Sequence, residues 1–331
     1  MKIYSGTELT FDSITDHYKE DLLRVEKELI TLFRSDVPIL PVIGKYIVKG
    51  GGKRIRPLFL LLSAELSGFT GEERIKLAAI IESIHTASLL HDDVIDNARL
   101  RRGKTAAHHI WGNQIVILVG DYLYSNALKE AVSFKNQEIM EALSEATTFM
   151  TEGELFQLNR IADPEITEED YIRIVSAKTG ALISAACRIG GILGNLSKRE
   201  KDALSVFGMK VGIAFQVSDD ILDYVSDENQ FGKNLGKDLE EGKITLPLIH
   251  LLKKADRKEI EQIIKIIKEG PQDGDLSWLI GKLKEYSSIE SAMEKARAII
   301  RDAKEALSIF QDSFVRDELL FLADYAIMRK V

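Results

Sequence analysis

Apolar residues recur at helical spacing through almost the whole chain, and this periodicity constrains the fold more than any other feature. They fall at positions i, i+3, i+4 and i+7, while the strict alternation of a half-buried strand is almost absent. Only 6 prolines occur, so few positions force a helix to end. The sequence therefore predicts an all-α fold, a bundle of long helices around a deep central cavity.

Start and stop signals place individual helices within this pattern. We expect helices over residues 11–33, 72–95, 167–190 and 198–225. No linker, low-complexity tract or internal repeat separates them. Residues 1–331 are therefore predicted to form a single domain.

Composition and charge exclude several classes of function. Hydrophobic residues make up 45% of the chain and charged residues 29%, as in ordinary globular proteins. The net charge of −8 argues against nucleic acid as a partner. The single cysteine, Cys187, excludes an internal disulfide framework and suits a reducing compartment. With neither a signal-like nor a membrane-spanning segment evident, we expect a cytoplasmic protein without a transmembrane helix.

Two aspartate triplets carry the strongest chemical signal. Both have the spacing i, i+1, i+4 within a predicted helix, and they consist of Asp92, Asp93 and Asp96 and of Asp219, Asp220 and Asp223. In a helix, positions i and i+4 differ by only about 40°, so the first and third carboxylates face the same way. Mg²⁺ typically binds carboxylates together with substrate phosphates, and it would relieve the repulsion between these charges. One triplet also suits a solvated helix end, but two matching copies favour magnesium and diphosphate between two acidic walls.

Basic residues near glycines and near the first triplet fit such a diphosphate. Lys53 and Arg56 follow three consecutive glycines and would be neighbours on one helix face. Arg101 and Arg102 follow the first triplet within ten residues, and the guanidinium fork suits phosphate oxygens. A solvated basic turn, or a loop of internal ion pairs, would explain the same residues without a ligand.

Two polar residues share a helix face with the triplets. His85 lies seven residues before Asp92, hence about 20° from it around the helix. Gln216 precedes Asp219 by three residues and so shares its face. A lone histidine on a helix is more often a satisfied core residue, but its stripe with the aspartates favours a functional role.

Lysines in or near apolar segments form a further candidate group. Lys178 and Thr179 interrupt an otherwise largely apolar helix, where a cation and a hydroxyl need partners. Lys233 and Lys243 flank the polar loop after the second triplet. Exposure to solvent, the usual state of lysine, is the alternative for each of these lysines.

These motifs resemble the trans-isoprenyl diphosphate synthases, or polyprenyl synthetases, in the family's own order from Gly50 to Lys243. The resemblance implies an isoprenoid-synthase fold, usually as a homodimer. It implies Mg²⁺-dependent condensation of isopentenyl diphosphate with an allylic diphosphate such as farnesyl or geranylgeranyl diphosphate. Transient contact with a membrane would accompany product release.

The resemblance also implies a role for each matching residue. Isopentenyl diphosphate would be bound by Lys53, Arg56, His85 and Arg102. The allylic diphosphate would be bound by Arg101, Lys178, Lys233 and Lys243. The oxygens presented to the developing carbocation would be those of Thr179 and Gln216. Three Mg²⁺ ions would be held by Asp92 and Asp96 with Asp93 in support, and by Asp219 with Asp220 and Asp223 beside it.

The turn before Asp92 bears on the length of the product. Ala87 and Ser88 are both small, whereas short-chain members of the family commonly have an aromatic residue there. The resemblance therefore suggests a product beyond C20, as in the octaprenyl-type bacterial synthases. A geranylgeranyl or farnesyl diphosphate synthase is the alternative. A non-catalytic subunit of a heteromeric synthase is another, although such subunits typically lack the acidic triplets.

Overall fold

The computed structural model describes residues 9–225 and 236–328, and these divide into two compact units. The first unit contains the described residues up to Thr147 together with Leu182–Ser205 and Ile309–Phe321. The second contains Thr148–Ala181, Val206–Ser308 and the described residues from Leu322 onwards. That the whole chain forms a single domain stays a prediction.

Helices make up nearly all of the described secondary structure. In chain order they are α1 (Phe11–His17), α2 (Lys19–Thr31), α3 (Ile39–Val48), α4 (Ile55–Leu66), α5 (Glu73–Ile95), α6 (Ala107–Trp111), α7 (Asn113–Val132), α8 (Gln137–Leu158), α9 (Glu168–Val175), α10 (Ala181–Leu193), α11 (Lys198–Val225), α12 (Lys237–Glu240), α13 (Leu246–Leu252), α14 (Arg257–Glu269), α15 (Asp275–Glu285), α16 (Ser288–Ala306) and α17 (Phe314–Tyr325). One π-helical turn (Ser176–Gly180) and one 3₁₀ turn (Leu307–Ile309) accompany them. Within the described residues, a single hairpin pairs β1 (Leu100–Arg101) with β2 (Lys104–Thr105). The all-α prediction is thereby confirmed.

Two of the predicted helices differ from the structure. The segment 11–33 breaks at Tyr18, where φ is −93° and ψ is 12°. The hydroxyl of the buried Tyr18 donates a hydrogen bond to Glu65, 2.7 Å away, so the break coincides with a tertiary contact and not with a proline or glycine. The segment 167–190 begins as predicted, with Thr167 accepting a hydrogen bond from the Asp170 amide. It is interrupted by the π-helical turn at 176–180.

In the first unit, α5 is the central helix and carries the first aspartate triplet near its C-terminus. It packs against α2, α4 and α7. Gly120 of α7 lies so close to His91 that a Cβ at this glycine would fall 2.3 Å from the imidazole Nε2. Close packing against α7 therefore fixes the turn of α5 that precedes the triplet.

In the second unit, α13 packs against α9, α15 and α16, while α11 carries the second triplet. Gly212 of α11 approaches the backbone of the π-helical turn, since a Cβ there would lie 2.6 Å from the Gly180 Cα. Two facing glycines thus allow α11 to run unusually close to Thr179. Across the described part of both units, no helix combines the length and apolar character needed to span a bilayer.

Candidate active site

The first triplet ends α5, and its three carboxylates have different surroundings. Asp93 is only 2% exposed and accepts hydrogen bonds from the Arg101 side chain, with Nε at 2.8 Å. Asp92 and Asp96 are partly exposed, and the Asp96 amide bonds to the Asp92 carbonyl at 2.8 Å as the helix ends. The middle aspartate therefore turns into the protein, while the outer two retain access to solvent.

A tight hairpin positions the two arginines that follow. Arg101 pairs with Lys104, so the two-residue turn consists of Arg102 and Gly103. Both turn residues have positive φ, 51° and 73°, as a type I′ turn requires. The guanidinium of Arg102 then packs against Gly52, where a Cβ would lie 2.7 Å from Nη1. The lack of a side chain at Gly52 therefore lets this cation reach the backbone after α3.

His85 lies within a group of arginines, of which Arg54 is buried and Arg56 half-buried. Arg56 contacts it through Nη1, 3.0 Å from the imidazole Nε2. Burial lowers the pKa of His85 well below its usual value, and the nearby charges of Arg56 and Arg102 lower it further. The imidazole is therefore neutral, and its Nε2 accepts the hydrogen bond from Arg56.

Arg54 and Glu82 belong to the same group, and sequence reasoning missed both. Arg54 has a left-handed backbone, is 7% exposed, and pairs with Glu82 at 2.9 Å and with Glu26 at 3.0 Å. Burial lowers the pKa of Arg56, and the Glu82 carboxylate offsets part of this effect. Glu82 could have been identified from the sequence, because it lies three residues before His85 on the same helix face.

Arg54, Glu82 and His85 line an open pocket within the first unit. One part of its wall is polar and includes His85, Arg101 and Arg102, whereas apolar side chains such as Leu89 and Leu90 line another part. A pocket with cations beside an apolar wall suits an amphipathic anion. Lys53 is exposed, and its ammonium lies 5.4 Å from the ring centre of Phe11.

A chain of hydrogen bonds supports the second triplet. Thr179 donates to the Gln216 Oε1 at 2.7 Å, and the Gln216 Nε2 donates to Asp220 at 2.8 Å. Tyr171 donates to the other oxygen of Asp220 at 2.6 Å. Thr179 lies in the π-helical turn, a type of distortion often found at functional sites.

Negative charge is concentrated around this series of hydrogen bonds. Burial raises the pKa of Asp220, and the neighbouring charges of Asp219 and Asp223 raise it further. Asp238, which sequence reasoning missed, has a pKa raised well above the usual value by burial and then by Asp220 and Asp223. Its amide donates to Asp223 at 3.1 Å, so the short helix α12 brings this fourth carboxylate to the triplet.

Lysines border the same region of the second unit. The Lys178 ammonium lies 2.8 Å from Glu154, and the Lys243 ammonium donates to Glu241 at 2.6 Å. Both lysines line an open pocket together with Gln216 and Asp220. Lys233, the remaining predicted lysine, lies outside the described residues.

The donor chemistry around both triplets fits a hard divalent cation. Within residues 9–225 and 236–328, no three acidic, histidine or cysteine side chains are already arranged around a common metal position. At the second triplet, crowded carboxylates with raised pKa values, those of Asp220 and Asp238, are nevertheless groups that such a cation would stabilise in the charged form. Since the triplets belong to different units, a site formed by both stays a prediction.

The two residues expected to bear on product length differ in exposure. Ala87 is 1% exposed and is therefore part of the core of the first unit. Ser88 is partly exposed, and its hydroxyl donates to the His85 carbonyl at 2.9 Å. Residue 88 is therefore in contact with solvent, whereas residue 87 is not.

Comparison with known proteins adds independent findings. The polyprenyl synthetase family model matches residues 37–282. The octaprenyl diphosphate synthase of Escherichia coli (strain K12) is 38% identical, over 97% of this chain and 99% of the relative. A short chain isoprenyl diphosphate synthase of Methanothermobacter thermautotrophicus is 36% identical, over 96% of this chain and 94% of the relative.

Solved structures show the same architecture. A decaprenyl diphosphate synthase from Rhodobacter capsulatus superposes with a TM-score of 0.92 at 36% identity, over 97% of this chain and 99% of that one. A polyprenyl synthase from Caulobacter crescentus, complexed with calcium and isoprenyl diphosphate, gives 0.91 at 35% identity, over 97% and 98%. These likenesses confirm the expected isoprenoid-synthase fold.

Proposed function

Because the chain belongs to the polyprenyl synthetase family, we propose that it condenses isopentenyl diphosphate units with an allylic diphosphate to make a long all-trans polyprenyl diphosphate. The chain is an enzyme, a prenyltransferase. Farnesyl or geranylgeranyl diphosphate is the primer that we propose, and the product is octaprenyl-like. The observation that carries the proposal is that each unit places an aspartate triplet next to cations suited to diphosphate.

In this proposal, isopentenyl diphosphate binds to the basic residues of the first unit that lie near His85. Arg56 and Arg102 present guanidinium groups to the diphosphate, and Lys53 adds an exposed ammonium. Neutral His85 orients Arg56 by accepting its hydrogen bond. The apolar wall of the adjoining pocket suits the hydrocarbon part of such a substrate.

The allylic diphosphate binds to the remaining cations. These are Arg101, Lys178, Lys233 and Lys243. Asp93 supports this arrangement because its buried carboxylate fixes the Arg101 guanidinium. Lys178 and Lys243 line the same pocket as Gln216, which places cations and amide within one cavity of the second unit.

Mg²⁺ ions, three in this proposal, would be held by the aspartate triplets. The direct ligands would be Asp92, Asp96 and Asp219, with Asp93, Asp220 and Asp223 beside them. When bound, the ions would neutralise charge on the diphosphate group of the allylic substrate and so favour the departure of that group. The partial exposure of Asp92, Asp96 and Asp219 suits this role, since a ligand to a substrate-bridging ion must remain accessible.

The protein's own residues then act on the reacting groups. The carbon–oxygen bond of the allylic diphosphate breaks with its electron pair on the diphosphate, whose charge the lysines and Arg101 stabilise. Thr179 and Gln216 direct oxygen atoms towards the resulting allylic cation. The double bond of isopentenyl diphosphate attacks that cation, and the departed diphosphate accepts the proton that is lost. Water must be excluded, because it would capture the cation.

Small residues before the first triplet support the long product. Ser88 leaves space one turn before Asp92, where an aromatic side chain would shorten the path of the growing chain. Identity alone does not separate the alternatives, since the octaprenyl and short-chain relatives are 38% and 36% identical. We further propose a homodimer that acts in the cytoplasm and contacts a membrane transiently as the product leaves.

One assay tests the proposal. The purified protein is incubated with Mg²⁺, isopentenyl diphosphate and farnesyl diphosphate, and the dephosphorylated products are separated by chromatography. We expect chains longer than C20 and no product when the metal is chelated. Products that stop at C15 or C20 would establish the short-chain alternative. No turnover at all would favour the non-catalytic subunit.

A further inference from the structure

The middle aspartate of the second triplet is held differently from its neighbours. Asp220 is 6% exposed, and each of its oxygens accepts a hydrogen bond from a protein group. Tyr171, which is 3% exposed, donates to Oδ2, and Gln216 donates to Oδ1. Asp219 and Asp223 are less buried. The carboxylate of Asp220 thus already accepts hydrogen bonds from two donors within the second unit.

These bonds fix the orientation of an amide. The Gln216 Nε2 points to the Asp220 carboxylate, and its Oε1 accepts a hydrogen bond from Thr179. Rotating the amide by 180° would place its oxygen against the carboxylate and its NH₂ against a hydroxyl. Because two oxygens without a proton between them repel, only the observed orientation is favourable.

The first triplet shows a parallel arrangement. Asp93, again the middle residue, is buried and accepts hydrogen bonds from Arg101. In both triplets, then, the second carboxylate turns inward and fixes a side chain assigned to the allylic substrate. The outer carboxylates of each triplet remain partly exposed.

We propose that Tyr171 and Asp220 are positioning residues, and that Asp220 acts by orienting Gln216 rather than by binding a metal ion. Tyr171 anchors the buried carboxylate, the carboxylate orients the Gln216 amide, and the amide holds the Thr179 hydroxyl. This role rests on the proposed function, because the oriented oxygens serve the allylic cation. Nothing in the sequence assigned Tyr171 to the site.

Removing a single hydroxyl tests the anchor. Tyr171→Phe deletes the donor while it keeps the ring, and Tyr286→Phe is the matched control. The Tyr286 hydroxyl also donates to a carboxylate at 2.6 Å, that of Glu259, outside the proposed site. We expect kcat with farnesyl diphosphate to fall about tenfold, or ~1.4 kcal/mol, in Tyr171→Phe alone. The KM for isopentenyl diphosphate should not change, because its proposed ligands take no part in this chain of hydrogen bonds.

A double-mutant cycle separates positioning from a merely structural role. If Tyr171 acts through Gln216, then Tyr171→Phe should cause no further loss of kcat in a Gln216→Ala background. If the two losses of kcat multiply instead, Tyr171 does not act through Gln216, and the inference is wrong. A magnesium titration adds a second criterion: Asp219→Asn should raise the concentration needed for half-maximal activity, and Asp220→Asn should raise it much less. Equal shifts would make Asp220 a metal ligand.

Thermal unfolding without metal or substrate gives a readout that is independent of activity. The hydrogen bonds of Asp220 exist in the ligand-free protein, so Tyr171→Phe should lower Tm by about 2 °C more than Tyr286→Phe does. Equal Tm values for the two variants would contradict the anchor. An inactive wild-type protein would instead overturn the proposed function, since the unfolding comparison does not depend on turnover.

Discussion

The buried ion pair between Arg54 and Glu82 gives a prediction whose size follows from the structure. The two side chains are 7% and 4% exposed, and Nη1 lies 2.9 Å from the carboxylate. Nε of the same guanidinium lies 3.0 Å from Glu26, whose side chain is 36% exposed. Removing one partner of a buried pair costs about 3–5 kcal/mol, because it leaves the other charge uncompensated. Glu82→Gln retains a hydrogen-bond acceptor, so we expect the lower end, about 3 kcal/mol.

Glu26→Gln is the matched control, since it removes an equally close but far more accessible partner of the same guanidinium. Because Glu26 is solvated and Glu82 still pairs with the guanidinium when Glu26 is removed, we expect a loss of about 0–1 kcal/mol. Urea unfolding followed by circular dichroism measures both values against wild type. Inorganic diphosphate should stabilise Glu82→Gln more than wild type, because Arg54, Arg56 and Arg102 then have less counter-charge. Equal losses in Glu82→Gln and Glu26→Gln would refute the reasoning.

Three further predictions concern product length, pH and the substrate site. Ser88→Phe should shorten the product in the chromatographic assay while the protein remains folded. Ala87→Phe should instead lower Tm sharply, because residue 87 is buried. An unchanged product length in Ser88→Phe would show that residue 88 does not line the path of the growing chain. Hydrogen bonding from Lys295 lowers the pKa of Glu168 from 4.5 to about 2, so ionised Glu168 stabilises the folded protein above pH 4.5, and this stabilisation is lost as the pH falls towards 2. The difference in unfolding free energy between wild type and Glu168→Gln should fall in the same way. A difference independent of pH would contradict the prediction. Gly52→Ala should raise the KM for isopentenyl diphosphate about tenfold, because the new Cβ displaces the adjacent guanidinium, and it should also lower Tm, because φ at Gly52 is +155°, which L residues rarely adopt. An unchanged KM would show that this close approach is unimportant.

Periodicity was sufficient to predict the long helices that carry the triplets. Helix α11 occupies the predicted residues 198–225, and α5 begins one residue later than expected. The break at Tyr18 was not predictable, because no proline or glycine marks it; it coincides with a hydrogen bond to Glu65, 47 residues away. The π-helical turn was not predictable either, since one extra residue in a turn barely changes an apolar pattern of period 3.6.

The candidate site shows the same division between local and long-range information. Spacing along one helix identified the aspartates and His85, because residues on one face are neighbours wherever the helix packs. Tyr171 was missed because its contact with Asp220 joins residues 49 positions apart. Arg54 and Asp238 were missed because a surface position and a buried one look alike in sequence. Their roles follow from burial, which only the folded chain determines.

We propose that the two triplets bind one group of divalent ions around a single diphosphate. Binding of Mn²⁺, observed by electron paramagnetic resonance with an unreactive allylic diphosphate analogue, tests it most directly. We expect wild type to bind ions cooperatively with the analogue, and both Asp92→Asn and Asp219→Asn to weaken the binding of the analogue as well as of the ions. If either variant bound the analogue and its ions as wild type does, the triplets would not share one ligand.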